Sequence, residues 1–139
     1  MDGIGTAATF YSPTMLAISS DDRYLYVSEV HRGRVRSIHV ASQAVSTVAT
    51  GLPEPYDLEL TSDDSLLYIS CKQGNRVSSL VLGDPQPRAV STVAGGSGFG
   101  NSDGVATSAS FTYPRGLALS PDDSVLYIAE AHGIRIVRS

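Results

Sequence analysis

PTMLAISSDDRYLYVSEVHRGRVRSI, residues 13–38, is a stretch that this chain writes three times. It returns as PYDLELTSDDSLLYISCKQGNRVSSL at 55–80 and as PRGLALSPDDSVLYIAEAHGIRIVRS at 114–139. The first two copies align without a gap at an offset of 42 residues, the first and third at 101. Two tails match as well, AVSTVAT at 44–50 and AVSTVAG at 89–95. So do two connectors, DGIGTAATFYSP at 2–13 and DGVATSASFTYP at 103–114. A fixed internal period marks a repeat architecture, and each repeat is then one supersecondary unit that buries its apolar face against a neighbour.

Period-2 alternation and β-branched or aromatic content predict four short strands per unit. Strand a lies at 14–19, 56–61 and 115–120, and strand b at 24–30, 66–72 and 125–131. Strand c lies at 34–40, 76–82 and 133–139, and strand d at 44–50 and 89–95. Glycine and proline punctuate every unit and no stretch sustains a 3.6-residue period, which excludes a helical solenoid. Four antiparallel strands in a unit of roughly 40–50 residues form the blade of a β-propeller. The expected fold is therefore all-β: one propeller-type unit over 1–139, with repeats at roughly 2–50, 51–95 and 96–139, the last lacking its outer strand d. Three blades do not close a ring of ordinary geometry, and an open arc exposes apolar faces and strand edges. Two outcomes are expected: a second copy completes a two-fold, six-bladed ring, or further repeats complete it.

The pattern F-x-x-P-x-x-L-A, then DD-x-x-LYVSE, R-V-R-x-I, VSTVAG and DG resembles the NHL-repeat β-propeller family over nearly the whole chain. The resemblance implies a ring of about six blades and a module that binds other proteins; some members bind RNA. Three departures stand out. A second Asp (Asp22, Asp64, Asp123) replaces the usual turn glycine. The acid closing strand b is Glu29 and Glu130 but Cys71 in the second repeat, and that repeat carries the short linker GLPEP instead of the long connector.

A net charge of −4 and a pI of about 5.2 oppose a general nucleic-acid footprint, although Arg32, Arg34 and Arg36 cluster on one blade. The single cysteine allows neither an intrachain disulfide nor a cysteine-rich metal site. No apolar run approaches the ~20 residues of a membrane span. The segment MDGIGTAATF has neither the charge nor the apolar stretch of a signal peptide, and with the lone cysteine this leans towards an intracellular location.

The paired aspartates read as hairpin turns, since Asp accepts local backbone hydrogen bonds and tolerates left-handed geometry. Glu29, Cys71 and Glu130 end strand b where Arg34, Arg76 and Arg135 begin strand c, so ionic staples from blade to blade are expected, with Arg76 lacking its acid. His31 and His132 occupy matching loops, with Gln73 as the third member, and complete no metal set. GGSGFGNSDG at 95–104 is not followed by Gly-Lys-Ser/Thr and reads as a connector. No catalytic residue, metal site or cofactor is expected. The b–c and d–a loops share one end of a propeller, so the expected binding face comprises Arg32, Arg34, Gln73, Asn75, Phe99, Asn101, Arg115 and His132. The function expected is a non-catalytic protein-interaction or scaffold module. The alternatives are part of a six-bladed, metal-dependent lactonase- or lyase-like enzyme, or an RNA-binding propeller.

Overall fold

The computed structural model describes residues 1–83, 89–96, 98–104 and 106–138. Blade one contains β1 (Gly3–Ile4), β2 (Pro13–Ile18), β3 (Tyr24–Glu29), β4 (Arg34–His39) and β5 (Ala44–Ala49). Blade two contains β6 (Pro55–Leu60), β7 (Leu66–Cys71), β8 (Arg76–Val81) and β9 (Val90–Gly95). Blade three contains β10 (Gly116–Leu119), β11 (Val125–Glu130) and β12 (Gly133–Arg138). Every pairing between these strands is antiparallel, and within each blade strands a to d lie side by side in chain order. The innermost strands of adjacent blades touch, β2 with β6 and β6 with β10. These are blades of a β-propeller, and the expected strands fall within two residues of the observed ones. Ser139, assigned to strand c from the sequence, lies outside the described residues.

Two features depart from the sequence reading. First, β1 pairs with the outer edge of β5, Gly3 opposite Val45, so blade one has five strands. Second, the gapless third alignment slips inside the b–c turn. Glu29 pairs with Arg34, whereas Glu130 pairs with Gly133, two residues sooner. The structural equivalent of Arg135 is thus Arg36, not Arg34, and Ile134 and Ile136 correspond to Val35 and Ser37.

Blades pack front to back. The front of blade two (Leu58, Leu67, Ile69, Leu80) covers Tyr26 and Val35 on the back of blade one. The front of blade three (Leu126, Ile128, with Phe111 from its connector) covers Val77 on the back of blade two. Burying each such aliphatic side chain contributes about 1.5–3 kcal/mol. Gly95 makes room at the second seam: its φ is +81°, and a Cβ there would lie 2.5 Å from the Phe111 ring.

Polar clasps fix the register of both seams. Ser28 Oγ accepts from the Met15 N–H (3.1 Å) and donates to the Tyr56 carbonyl of the next blade (2.7 Å). Ser70 repeats this with the Asp57 N–H (2.9 Å) and the Arg115 carbonyl (2.6 Å). At the opposite end, Asp64 accepts from the N–H and hydroxyl of Ser20, and Asp123 from those of Ser62. The second Asp is therefore a blade-to-blade clasp at Asp64 and Asp123, and all three second Asps are left-handed (φ +59°, +57° and +58° at Asp22, Asp64 and Asp123).

The first Asp of each pair closes its own turn. Asp21 accepts from the Ser19 hydroxyl and the Arg23 N–H. Asp63 accepts from the Ser65 N–H and the Thr61 hydroxyl, and Asp122 from the Ser120 and Ser124 hydroxyls. These hydrogen bonds, led by Ser19, Ser65 and Ser120, hold all three carboxyls down at about 2 against an ordinary 3.8. A depressed carboxyl stabilises the fold fully above its unfolded value and loses that contribution as pH falls through its folded value. The turns are therefore expected to loosen between about pH 4 and pH 2, modestly because the groups are exposed. Carbon-detected NMR titration of Ser19→Ala should show the Asp21 carboxyl moving back towards 3.8; an unmoved titration would contradict the assignment.

Candidate functional site: the loop face

The b–c turns and the connectors entering strand a form one end of the arc. Two arginines brace it, Arg36 buried and Arg135 half-buried. Arg36 donates through Nη1 to Glu29 and the Thr9 carbonyl (both 3.1 Å) and through Nη2 to the Met1 carbonyl (2.9 Å). It also pairs with Asp2 (2.8 Å) and lies 5.0 Å over the Phe10 ring. Arg135 repeats the set with Glu130 (3.0 Å), the Ser110 and Ser102 carbonyls, Asp103 (2.8 Å) and the Phe111 ring (5.3 Å). Glu29 and Glu130 also accept the N–H of Tyr11 and Thr112, respectively. Burial would raise the Glu29 carboxyl, but hydrogen bonds from Arg34, Tyr11 and Arg36 hold it below the usual range. Each set ties a long DG…F connector onto its own blade, a role the sequence reading had placed between blades.

Blade two has no long connector, and both ends of the ion pair are gone. Cys71 stands in the place of Glu29 and Ser78 in that of Arg36, Sγ to Oγ 3.7 Å. The loss of the acid is thus compensated at Ser78. Burial pushes the Cys71 thiol up, partly offset by Ser78 and Arg76, so it is a packing residue and no nucleophile. A soluble thiol reagent should leave native protein unmodified and label it only on unfolding; rapid native labelling would refute this.

Above these braces, aromatic rings carry cations. Arg32 lies 4.9 Å over the Tyr11 ring, and His31 meets the same ring edge-on at 6.4 Å. One blade on, Lys72 lies 5.8 Å from the Tyr113 ring, and Phe99 meets it edge-on at 5.3 Å. Tyr11, His31, Lys72 and Tyr113 were not among the residues expected to bind. The signal was present in FYSP and FTYP, where a tyrosine sits two residues or one residue before the proline that opens blades one and three.

Of the expected residues, Arg32, Gln73, Phe99, Asn101, Arg115 and His132 are exposed. Arg34 is half-buried and paired with Glu29. Asn75 is buried: its Oδ1 accepts from the Tyr113 N–H (3.1 Å) and its carbonyl from the Gly96 N–H, so it joins blades two and three. It takes the left-handed conformation (φ +48°) that Gly33 takes in blade one. The described residues gather no group of three or more His, Cys, Asp or Glu able to hold a metal ion. No helix among them is long and apolar enough to cross a membrane.

Several solved structures share this arrangement. An auxiliary nutrient binding protein from Bacteroides thetaiotaomicron aligns with a TM-score of 0.75 at 18% identity, over 89% of this chain and 33% of its own. Kuenenia stuttgartiensis hydrazine synthase aligns with a TM-score of 0.71 at 19% identity, over 95% and 34%. A chain of a nidogen/laminin complex aligns with a TM-score of 0.65 at 16% identity, over 89% and 42%. These likenesses establish the β-propeller class. The chain spans a third to two-fifths of the structures it resembles. No protein-family model and no curated protein sequence matches it.

Proposed function

We propose that this chain is an NHL-type propeller module that binds a protein partner through its loop face and completes its ring with a second copy. The observation that carries the first part is the pair of cation–aromatic ledges, Arg32–His31–Tyr11 and Lys72–Phe99–Tyr113. Tyrosine and arginine are among the residues that dominate binding hot spots, and here they are pre-ordered on a frame braced by Arg36 and Arg135. The likeness to a chain of a nidogen/laminin complex is consistent with this use of the fold. The RNA-binding reading loses support because Arg34 is paired with Glu29 and Arg36 is buried, leaving Arg32 as the exposed member of that cluster. The metal-dependent enzyme reading finds no ligand set among the described residues.

A photo-crosslinking residue placed at Phe99 or Arg32 is expected to capture a partner protein in cells. The same residue at Ser42 or Ser65, at the other end of the blades, is expected to capture none. Arg32→Ala with Phe99→Ala should reduce binding of that partner at least tenfold without changing the melting temperature. Equal capture from both ends would overturn the reading.

A further inference from the structure

The two ends of the arc are the two halves of a seam that the chain already builds twice. On the front of blade one, Leu16 is 64% exposed where its equivalent Leu58 is 3%. Ile18 is exposed on the same strand, and Leu16 lines with Phe10, Val27 and Ile38 an apolar groove of about 350 Å³. On the back of blade three, Ile134 is 72% exposed where Val35 and Val77 are 0%. Tyr127 and Ile136 are exposed next to it.

The back of blade three, however, is not chemically a copy of the backs of blades one and two. Ser28 and Ser70, which bridge to the next blade's strand a, become Ala129. Ser37 and Ser79 become Ile136. Ser20 and Ser62, which receive the next blade's Asp, become Pro121, with neither an N–H nor a hydroxyl to offer. Asp57 and Glu59, which accept the N–H of Leu117 and Leu119 in blade three, become Gly116 and Ala118. Ala129, Pro121, Gly116 and Ala118 each stand where blade two makes a side-chain or turn hydrogen bond to its neighbour (blade one already carries Met15 and Ala17 at the last two places), and Ala129 and Ile136 add apolar surface. Meanwhile Asp22, the clasp residue on blade one, has no side-chain partner among the described residues.

We infer that the back of blade three receives the front of blade one of a second copy, in the register of the internal seams, through an apolar joint from which the polar clasps have been removed. This rests on the self-association reading above and adds its register and chemistry. A second copy is the occupant because each copy presents both complementary faces, so one two-fold operation satisfies both at once. An apolar joint without directional bonds holds by burial and separates without breaking hydrogen bonds. The internal seams stay intact when it opens.

Sedimentation equilibrium of the 139-residue chain tests this. It is run at low salt and again at about 0.5 M salt, where attraction between exposed charges is screened. The wild type is expected to form a reversible dimer whose dissociation constant barely changes between low and high salt. Pro121→Ser restores a donor pair for the partner's clasp residue, Asp22 of the second copy, at both joints, and should tighten the dimer about tenfold or more. Asp22→Gly, which suits the left-handed backbone, should change the wild type little but cancel the gain made by Pro121→Ser. Ala129→Ser provides an independent variant, expected to tighten the dimer by restoring the bridge to the partner's Thr14 carbonyl. A monomer at every concentration overturns self-association and this inference together. A dimer indifferent to Pro121→Ser and Ala129→Ser, or a gain that survives Asp22→Gly, overturns the inference alone.

Discussion

Replacing Glu29 by cysteine is expected to lower the unfolding free energy by about 3–5 kcal/mol, because it leaves Arg36 buried with its main counter-charge removed. The residue introduced is the one blade two uses at the same place. What makes cysteine tolerable there is Ser78, and what makes the ion pair necessary in blade one is the connector that Arg36 holds at Met1, Asp2 and Thr9. Adding Arg36→Ser to Glu29→Cys should therefore cost less than the sum of the two single changes, by about 1–3 kcal/mol of coupling. The double variant should still lose protection of the amides of residues 2–10, since nothing then ties the connector down. Urea unfolding of the four members of the cycle gives the coupling directly. Strict additivity would mean that Glu29 and Arg36 do not act as one unit.

The second large effect is expected at Phe111. Phe111→Ala should cost about 3–5 kcal/mol, as truncation of a buried aromatic does. The ring is 1% exposed and fills the seam between blades two and three beneath Arg135. Phe10 occupies the same place in the first repeat and stacks beneath Arg36 in the same way, yet it is 37% exposed. Phe10→Ala should cost much less at micromolar protein, and its cost should grow as concentration rises and the second copy covers the ring. Two identical substitutions at equivalent positions thus report the presence of a neighbouring blade at one and its absence at the other. Equal costs at every concentration would contradict the packing described.

The repeated 26-residue pattern made the blades legible because period-2 alternation, Asp turns and the proline before strand a all act locally. What the pattern did not contain was anything that depends on a missing neighbour or a changed turn length. The two-residue shortening after Glu130 hides behind an Arg at each candidate position, so gapless alignment matched Arg135 to Arg34 when the backbone pairs it like Arg36. The short strand β1 carries no sequence signal because Gly3 and Ile4 have no alternation of their own; it forms on the edge that β5 offers. The Asp pairs were read correctly as turns, but the second Asp reaches a residue some 44 or 61 positions away, and separation of that kind leaves no local trace. On the loop face, exposed residues such as Arg32 and Phe99 could be placed from topology alone. Asn75 could not, because its polar side chain is spent on a backbone amide of the next blade's connector.

Amide hydrogen exchange, read by mass spectrometry at low and high protein concentration, tests the arrangement of three front-to-back blades with two complementary open faces most directly. Exchange is expected to be slowest in β7 and β8 at both concentrations, because blade two is covered on both sides. Strands β2, β11 and β12 should gain protection as concentration rises. Protection that is uniform along the chain and indifferent to concentration, or a blade two that exchanges as fast as its neighbours, would contradict it.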